Sequence, residues 1–184
     1  MAIATDPLVW LDMEMSGLDP ATCVPLEVAI IITSADLTEI DTFHTVIHQD
    51  DPALESMNDF VRDMHTGNGL LERVRASTTT LAEADRGMAE IVLRHCEAGT
   101  AVLSGNSIHQ DRKFIVAYFP DFEKLLHYRM VDVSTIKELV RRWYGNHALY
   151  AKPQSDHTAL ADTRESIAEL GDYRRRFLVP PGRL

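Results

Sequence analysis

Asp12 and Glu14 are the first residues from which a chemistry can be read. They close the apolar run Leu8-Val9-Trp10-Leu11 and are followed by Ser16-Gly17-Leu18. A run that short, ending in Ser-Gly, reads as a buried strand rather than a helix. Side chains alternate along a strand, so Asp12 and Glu14 share one face while Met13 and Met15 take the other. Two like charges side by side repel. A divalent cation would offset them; an ordinary strand with a solvated polar face is the plain alternative. Two further acids stand where they could join this pair. Asp111 opens a helix directly after a strand and the stretch Gly105-Asn106-Ser107, although alone it is as readily a helix-start charge complementing the dipole. Asp162 falls in the first turns of the last helix. His157 precedes it by five residues, roughly 500° of helix, so the two cannot share one helical face. That puts His157 on the loop approaching the helix, either leaning over a site that Asp162 enters or as a plain surface residue.

The elements that must position these residues follow from local pattern. After the first strand, Gly17-Leu18-Asp19-Pro20 is turn chemistry. Leu26 to Thr33 carries the most β-branched run of the chain, Val28-Ala29-Ile30-Ile31-Ile32, and reads as a central strand. Glu39 to His48 is a third strand, so the first three form an antiparallel meander. Helices follow: a short piece ending at His65, a break at Gly67-Asn68-Gly69, a second piece from Leu70 to Val74, and a long helix from Leu81 to Cys96 capped within Ser77-Thr80. Ala101-Leu103 and Tyr128-Val131 are short strands separated by a helix from Gln110 to Tyr118, which Pro120 stops. Val133 to Trp143 is amphipathic, with Ile136, Leu139, Val140 and Trp143 on one face. The last helix runs from Thr158 to Phe177, with Leu160, Ile167, Leu170 and Phe177 spaced for burial, and a tail follows over about 178–184. The result is an α/β domain built on a mixed five-stranded sheet, three antiparallel strands and then short parallel ones, flanked by helices.

Bulk properties bound the answer. The 184 residues, 45% hydrophobic and 25% charged, suit one globular domain spanning 1–184. A formal net charge of −10 argues against wrapping a long polyanion non-specifically. Cys23 and Cys96 lack metal-site spacing and fit a reducing compartment as small buried hydrophobes. No signal peptide and no membrane-length apolar stretch are read, so a cytoplasmic protein is expected. His44, His48, His95, His127 and His147 show no ligand spacing and read as structural. Arg174-Arg175-Arg176 reads as a solvated helix face.

Three stretches resemble the exonuclease motifs of the DEDDh group: Asp12-Met13-Glu14-Met15-Ser16-Gly17-Leu18, Gly105-Asn106-Ser107-Ile108-His109-Gln110-Asp111-Arg112, and His157-Thr158-Ala159-Leu160-Ala161-Asp162. Within that group the chain resembles the oligoribonucleases over nearly its whole length, through His65-Thr66, Leu71-Glu72-Arg73-Val74, His127-Tyr128-Arg129, Asp132-Val133-Ser134-Thr135 and Arg164-Glu165-Ser166. The resemblance implies a ribonuclease-H-like fold and a 3′–5′ exoribonuclease that cuts short oligoribonucleotides, dinucleotides especially, to 5′-mononucleotides. Asp12, Glu14, Asp111 and Asp162 supply hard oxygen ligands suited to Mg²⁺ or Mn²⁺. Two such ions about 3.5–4 Å apart serve an in-line displacement, and His157, ordinarily titrating near about 6.5, would take the proton of the attacking water. For substrate binding the resemblance implies Leu18 and Phe60 against bases, although either residue could equally be core. It implies His65, Ser107, Tyr128, Arg129 and Ser134 around the 5′-phosphate of a single-stranded RNA of two to about five nucleotides. It further implies a homodimer in which Tyr128 comes from the neighbouring subunit. His109 departs from the pattern, where a small residue such as Gly is expected, and is either an exposed variation or a crowding of the motif around Asp111.

Three other readings compete. Another DEDDh exonuclease, for proofreading or tRNA trimming, would share the five catalytic positions but should carry more basic surface. A phosphatase with an aspartyl nucleophile would need Asp-x-Asp and a lysine, and Glu14 fills the second place. A non-catalytic metal- or RNA-binding module would have no use for His157 beside four acids.

Overall fold

The first strand turns out to be the middle of the sheet. The computed structural model describes residues 6–55, 57–153 and 158–179. Strand β1 (Leu8–Met15) lies between β2 (Pro25–Thr33) on one side and β4 (Ala101–Gly105) on the other, and β3 (Glu39–Val46) and β5 (Leu126–Asp132) form the edges, giving the order β3-β2-β1-β4-β5. The β1–β2 and β2–β3 pairs are antiparallel and the β1–β4 and β4–β5 pairs parallel. This is the mixed sheet that the sequence leads one to expect. Every residue of β2 is buried, since helices cover both faces of the sheet, and its β-branched run suits a strand with no solvated face.

Between β3 and β4 come α1 (Asp51–Leu54), α2 (Asp59–Gly67), α3 (Leu70–Ala76) and α4 (Leu81–Leu93); α5 (His109–Tyr118) and α6 (Pro120–Glu123) precede β5, and α7 (Val133–Tyr144) and α8 (Ala159–Phe177) follow it. One face of β1 and β2 (Val9, Leu11, Met13, Val28, Ile30, Ile32) packs on Met88, Ile91 and Val92 of α4 and on Phe114 and Ile115 of α5. The opposite face presents Trp10 and Ile31 to Val140 of α7 and to Leu170 and Tyr173 of α8. The buried Trp10 indole donates its N–H to Thr33 Oγ1 at 2.9 Å, so the largest side chain of that layer leaves no polar group unmet. A smaller cluster of Leu54, Met57, Leu70, Leu71 and Val74 joins α1 to α3 and packs on Leu26.

Local chemistry sets the helix ends. Thr80 accepts from Glu83 N while Glu83 accepts from Thr80 N, a reciprocal capping box. Three details differ from the pattern read in the sequence. Helix α4 stops at Leu93 because residues 94–96 close into a turn, His95 N and Cys96 N both donating to Val92 O. Strand β3 ends at Val46; Ile47 N still donates to Leu26 O of β2, and His48 N then donates to Thr79 O. Pro120 does stop α5, but it also starts α6, whose Asp121 and Phe122 amides donate to the buried Asp85 carboxylate at 3.0 and 2.9 Å; a cap supplied from α4 leaves no local trace. Helix α7 buries only part of its apolar face: Val140 is buried, whereas Leu139 is exposed and Trp143 is 68% exposed.

Candidate active site

Sheet register decides where the acids meet. Asp12 lies opposite Ala29 and Glu14 opposite Glu27 on β2, so Asp12, Glu14 and Glu27 share the face that also carries Trp10. On its other side β1 pairs with β4 only from Leu8 to Trp10, the last partner being Ser104. The two strands part there, and the notch between them admits α5. Gly105 permits this closeness: a Cβ on it would lie 2.7 Å from Leu11 O and 2.9 Å from Ile108 Cδ1. Asp111, in the first turn of α5, is buried. Asp162 arrives from the opposite layer, in the first turn of α8, where Thr158 is the N-cap and accepts from Ala161 N.

Asp12, Glu14 and Asp162 thus bring a carboxylate oxygen each within 4.8 Å of one another. The fourth expected acid, Asp111, stands outside that trio but within its field. Burial, then the charge of Asp162, pushes Asp12 up to about 7. Burial, then Asp12 and Asp162, pushes Glu14 up to about 8. Burial and the Asp12 charge likewise raise Asp111 well above the usual carboxylate range. Carboxyls crowded and desolvated in this way hold their protons, because the charges of Lys152 and Arg73 offset only part of the burial and repulsion. An all-oxygen donor set of that kind fits a hard divalent cation.

Two cations lie nearby, and reading the sequence for chemistry missed both. Arg73 of α3 reaches the fully buried Glu27 at 2.7 Å, and His44 of β3 reaches the same oxygen at 2.8 Å. The other Glu27 oxygen accepts from Ala159 N at 3.3 Å, in the opening turn of α8. These partners hold the Glu27 carboxyl below its ordinary range despite its burial. Lys152, on the approach to α8, has its ammonium 3.2 Å from Glu165 and 4.0 Å from Asp162. The available signal was Glu27 itself, a lone acid inside a run otherwise fit for a strand without solvent.

The residues expected around substrate are distributed as follows. Leu18 is exposed and Phe60 is 77% exposed, so neither is core. Ser107 adopts a left-handed backbone, φ 51°; its amide donates to Ser134 Oγ at 2.7 Å and to Asp132 Oδ1 at 3.0 Å. Asn106 extends the cluster, accepting from Ser134 Oγ and donating to Ser166 and Glu169 of α8. Tyr128 and Arg129 project from the edge strand β5, the guanidinium lying 5.3 Å from the ring centroid. His65 is wholly buried and bonds the Met15 carbonyl at 3.0 Å, at the end of β1. His109 does not crowd Asp111: its ring is half exposed and faces Asp132 at 3.5 Å. His157 lies outside the described residues. Arg175 and Arg176 pair with Asp172 on the outer face of α8, as a solvated run would.

A family model described as an exonuclease matches residues 9–170. An oligoribonuclease of Paracidovorax citrulli is 47% identical over 94% of this chain and 90% of its own length. One from Rhodococcus jostii is 48% identical over 96% and 91%, and one from Bordetella pertussis 45% over 97% and 99%. The chain belongs to the oligoribonuclease family. Membership makes it a hydrolytic nuclease. Among solved structures, an exonuclease I shares the fold of this oligoribonuclease-family chain with a TM-score of 0.73 at 14% identity, covering 94% of this chain and 42% of its own. The E. coli exonuclease I bound to a dT13 oligonucleotide gives 0.70 at 14% identity, with 94% and 41% covered. The chain spans about two fifths of those longer proteins. The shared architecture is ribonuclease-H-like, as the motifs imply.

Proposed function

We propose that this protein is a 3′–5′ exoribonuclease that hydrolyses short single-stranded oligoribonucleotides, dinucleotides foremost, to 5′-mononucleotides. The observation that carries the reading is the convergence of Asp12, Glu14 and Asp162 within 4.8 Å in a chain so similar to oligoribonucleases. Those three carboxylates, with Asp111 beside them, would hold two Mg²⁺ or Mn²⁺ ions. Such ions, when bound, supply an acidified water and charge neutralisation on the phosphoryl group and the leaving oxygen. The protein's own residues do the rest. His157 takes the proton of the attacking water as its oxygen bonds to phosphorus. The bond from phosphorus to the 3′ oxygen breaks, leaving a 3′-hydroxyl on the shortened chain and a 5′-phosphate on the released nucleotide. Leu18 and Phe60 offer exposed apolar surface to two bases, and Ser107, Ser134 and Arg129 cap the 5′-phosphate, the arginine through charge-assisted bonds. His65 supports this end of the site through the Met15 carbonyl.

A cap sets a ruler, because full binding needs the 5′-phosphate at the cap while the 3′ end meets the acids. With a net charge of −10 the protein gains little from counterion release on a long strand. Substrates of two to about five nucleotides are therefore preferred. In a competition between a 5′-phosphorylated dinucleotide and a twenty-nucleotide RNA at equal 3′-end concentration, the dinucleotide should be consumed first. Equal consumption of both would replace this reading with a general 3′ exonuclease.

The reading includes a homodimer. Exposed Leu139 and Trp143 on α7, with Tyr128 and Met130 on the edge strand β5, supply apolar surface of the kind that subunit contacts cover, and Tyr128 would act across that contact. Mixing Asp12→Asn and Tyr128→Ala subunits should then restore up to about a quarter of wild-type activity, since random pairing of a two-fold dimer leaves one complete site in half of the molecules. No restoration after verified subunit exchange would remove Tyr128 from the shared site. No described helix is long and apolar enough to cross a membrane. The free thiols of Cys23 and Cys96 suit the reducing cytoplasm that we assign to it. We treat residues 1–184 as one exonuclease unit.

A further inference from the structure

The acidic site carries one feature that the reaction as described does not use. Glu165 sits on α8 three residues beyond Asp162, hence on the same helix face. Its side chain is only 5% exposed, and neither of its oxygens has a hydrogen-bond partner among the described residues. The Lys152 ammonium is its ionic neighbour at 3.2 Å, off hydrogen-bonding geometry, and at the same time stands 4.0 Å from Asp162 Oδ1. Lys152 is 51% exposed, so it approaches the buried acids from the solvent side. A buried carboxylate with no hydrogen bond is costly unless a cation attends it. Two other buried acids are well partnered: Glu27 has Arg73, His44 and an amide, and Glu169 has Lys137, Asn106 and Tyr173. Among the described residues Glu165 has a lysine shared with an acid of the trio.

We propose that Lys152 is the built-in counter-ion of the acidic site: its ammonium is shared between Asp162 and Glu165 when no metal is bound and withdraws fully onto Glu165 when divalent cations bind. The inference rests on the reading of Asp12, Glu14 and Asp162 as a metal site. In the metal-free state a positive charge beside Asp162 offsets part of the repulsion among the carboxylates. The same charge opposes an entering cation. Glu165 resolves the conflict, since it offers the ammonium a second, buried acceptor one helical turn away. Lys152 is thus a positioning residue that protects the fold without metal and yields the site to metal. A simple tether of residues 151–153 to α8 would also use a Lys152–Glu165 pair, but it would leave cation affinity unchanged.

The test is Mn²⁺ binding to the full-length protein by titration calorimetry, together with thermal unfolding in chelator. Lys152→Met should tighten Mn²⁺ binding by roughly threefold to thirtyfold, the scale expected for removing a half-solvated charge next to the site, and should lower the metal-free melting temperature. Glu165→Gln should weaken Mn²⁺ binding in the wild-type background but have at most a small effect in the Lys152→Met background, since it acts by stranding the lysine at Asp162. In the same double variant the melting temperature lost with Lys152 should be regained, because no unpaired buried carboxylate remains. Unchanged or weaker Mn²⁺ binding by Lys152→Met overturns the proposal, as does an equal effect of Glu165→Gln in both backgrounds. If wild-type protein takes up no Mn²⁺, the metal-site reading itself fails, a result distinct from either of these. Lys152→Arg, which keeps the charge, controls for folding and should retain wild-type Mn²⁺ affinity within about threefold.

Discussion

Asp12→Asn gives a folded protein whose turnover of a labelled dinucleotide falls by more than about 100-fold, the loss expected when electrostatic stabilisation at the reacting centre is removed. Retention of more than about a tenth of the wild-type rate would sink the role given to this carboxylate. The same variant should be more stable than wild type in chelator. Burial and Asp162 push the Asp12 carboxyl up to about 7, so the folded state holds the proton more tightly than the unfolded chain does. The sign follows. Stability from this group is fully present below the ordinary carboxylate range, declines as pH rises, and is lost once pH passes about 7. Thermal scans in chelator should therefore show wild-type protein melting lower at pH 8 than at pH 5, with a flatter dependence for Asp12→Asn. Added Mn²⁺ should reverse the wild-type loss, because it stabilises the ionised carboxylates in the folded state alone.

The second large effect belongs to His157. His157→Ala should lower kcat by about 10²–10⁴-fold, the range for removal of a general base, while Mn²⁺ affinity by calorimetry stays as in wild type. The limb of the rate profile that reflects a base of ordinary histidine pKa, near about 6.5, should vanish with it. The opposite pattern, weakened Mn²⁺ binding with kcat unchanged at saturating metal, would make His157 a ligand or a bystander. Asp162 lies in the first turn of α8, which Thr158 caps.

How much of this was legible beforehand depends on the range of the force involved. Strand β1 with its two acids, the antiparallel meander and the start of α8 were all readable, because alternation, β-branching and an N-cap threonine act within a few residues. Motif spacing pointed to Asp111 and Asp162, but not to the difference between them. That difference arises where β1 and β4 part beyond Trp10 and Ser104, a property of register rather than of composition. Helix α6 escaped because its cap, Asp85, comes from another helix. The apolar face of α7 was readable as apolar, but the sequence did not say how much of it this subunit covers. Periodicity reports which residues avoid water, not whether this subunit is what covers them, and Trp143 shows the difference. Glu27 and Lys152 were passed over for a related reason: one charge in a strand and one in a loop carry no pattern, and their meaning lies in partners such as Arg73 and Glu165 that are far away in sequence.

Glu27 also constrains how the molecule can open. It joins β2, β3 through His44, α3 through Arg73 and the first turn of α8 through Ala159. None of these elements can swing away without leaving a buried carboxylate short of a partner, which adds to the cost of partial opening. The amides of β2, α3 and the start of α8 should therefore exchange with solvent as one cooperative unit.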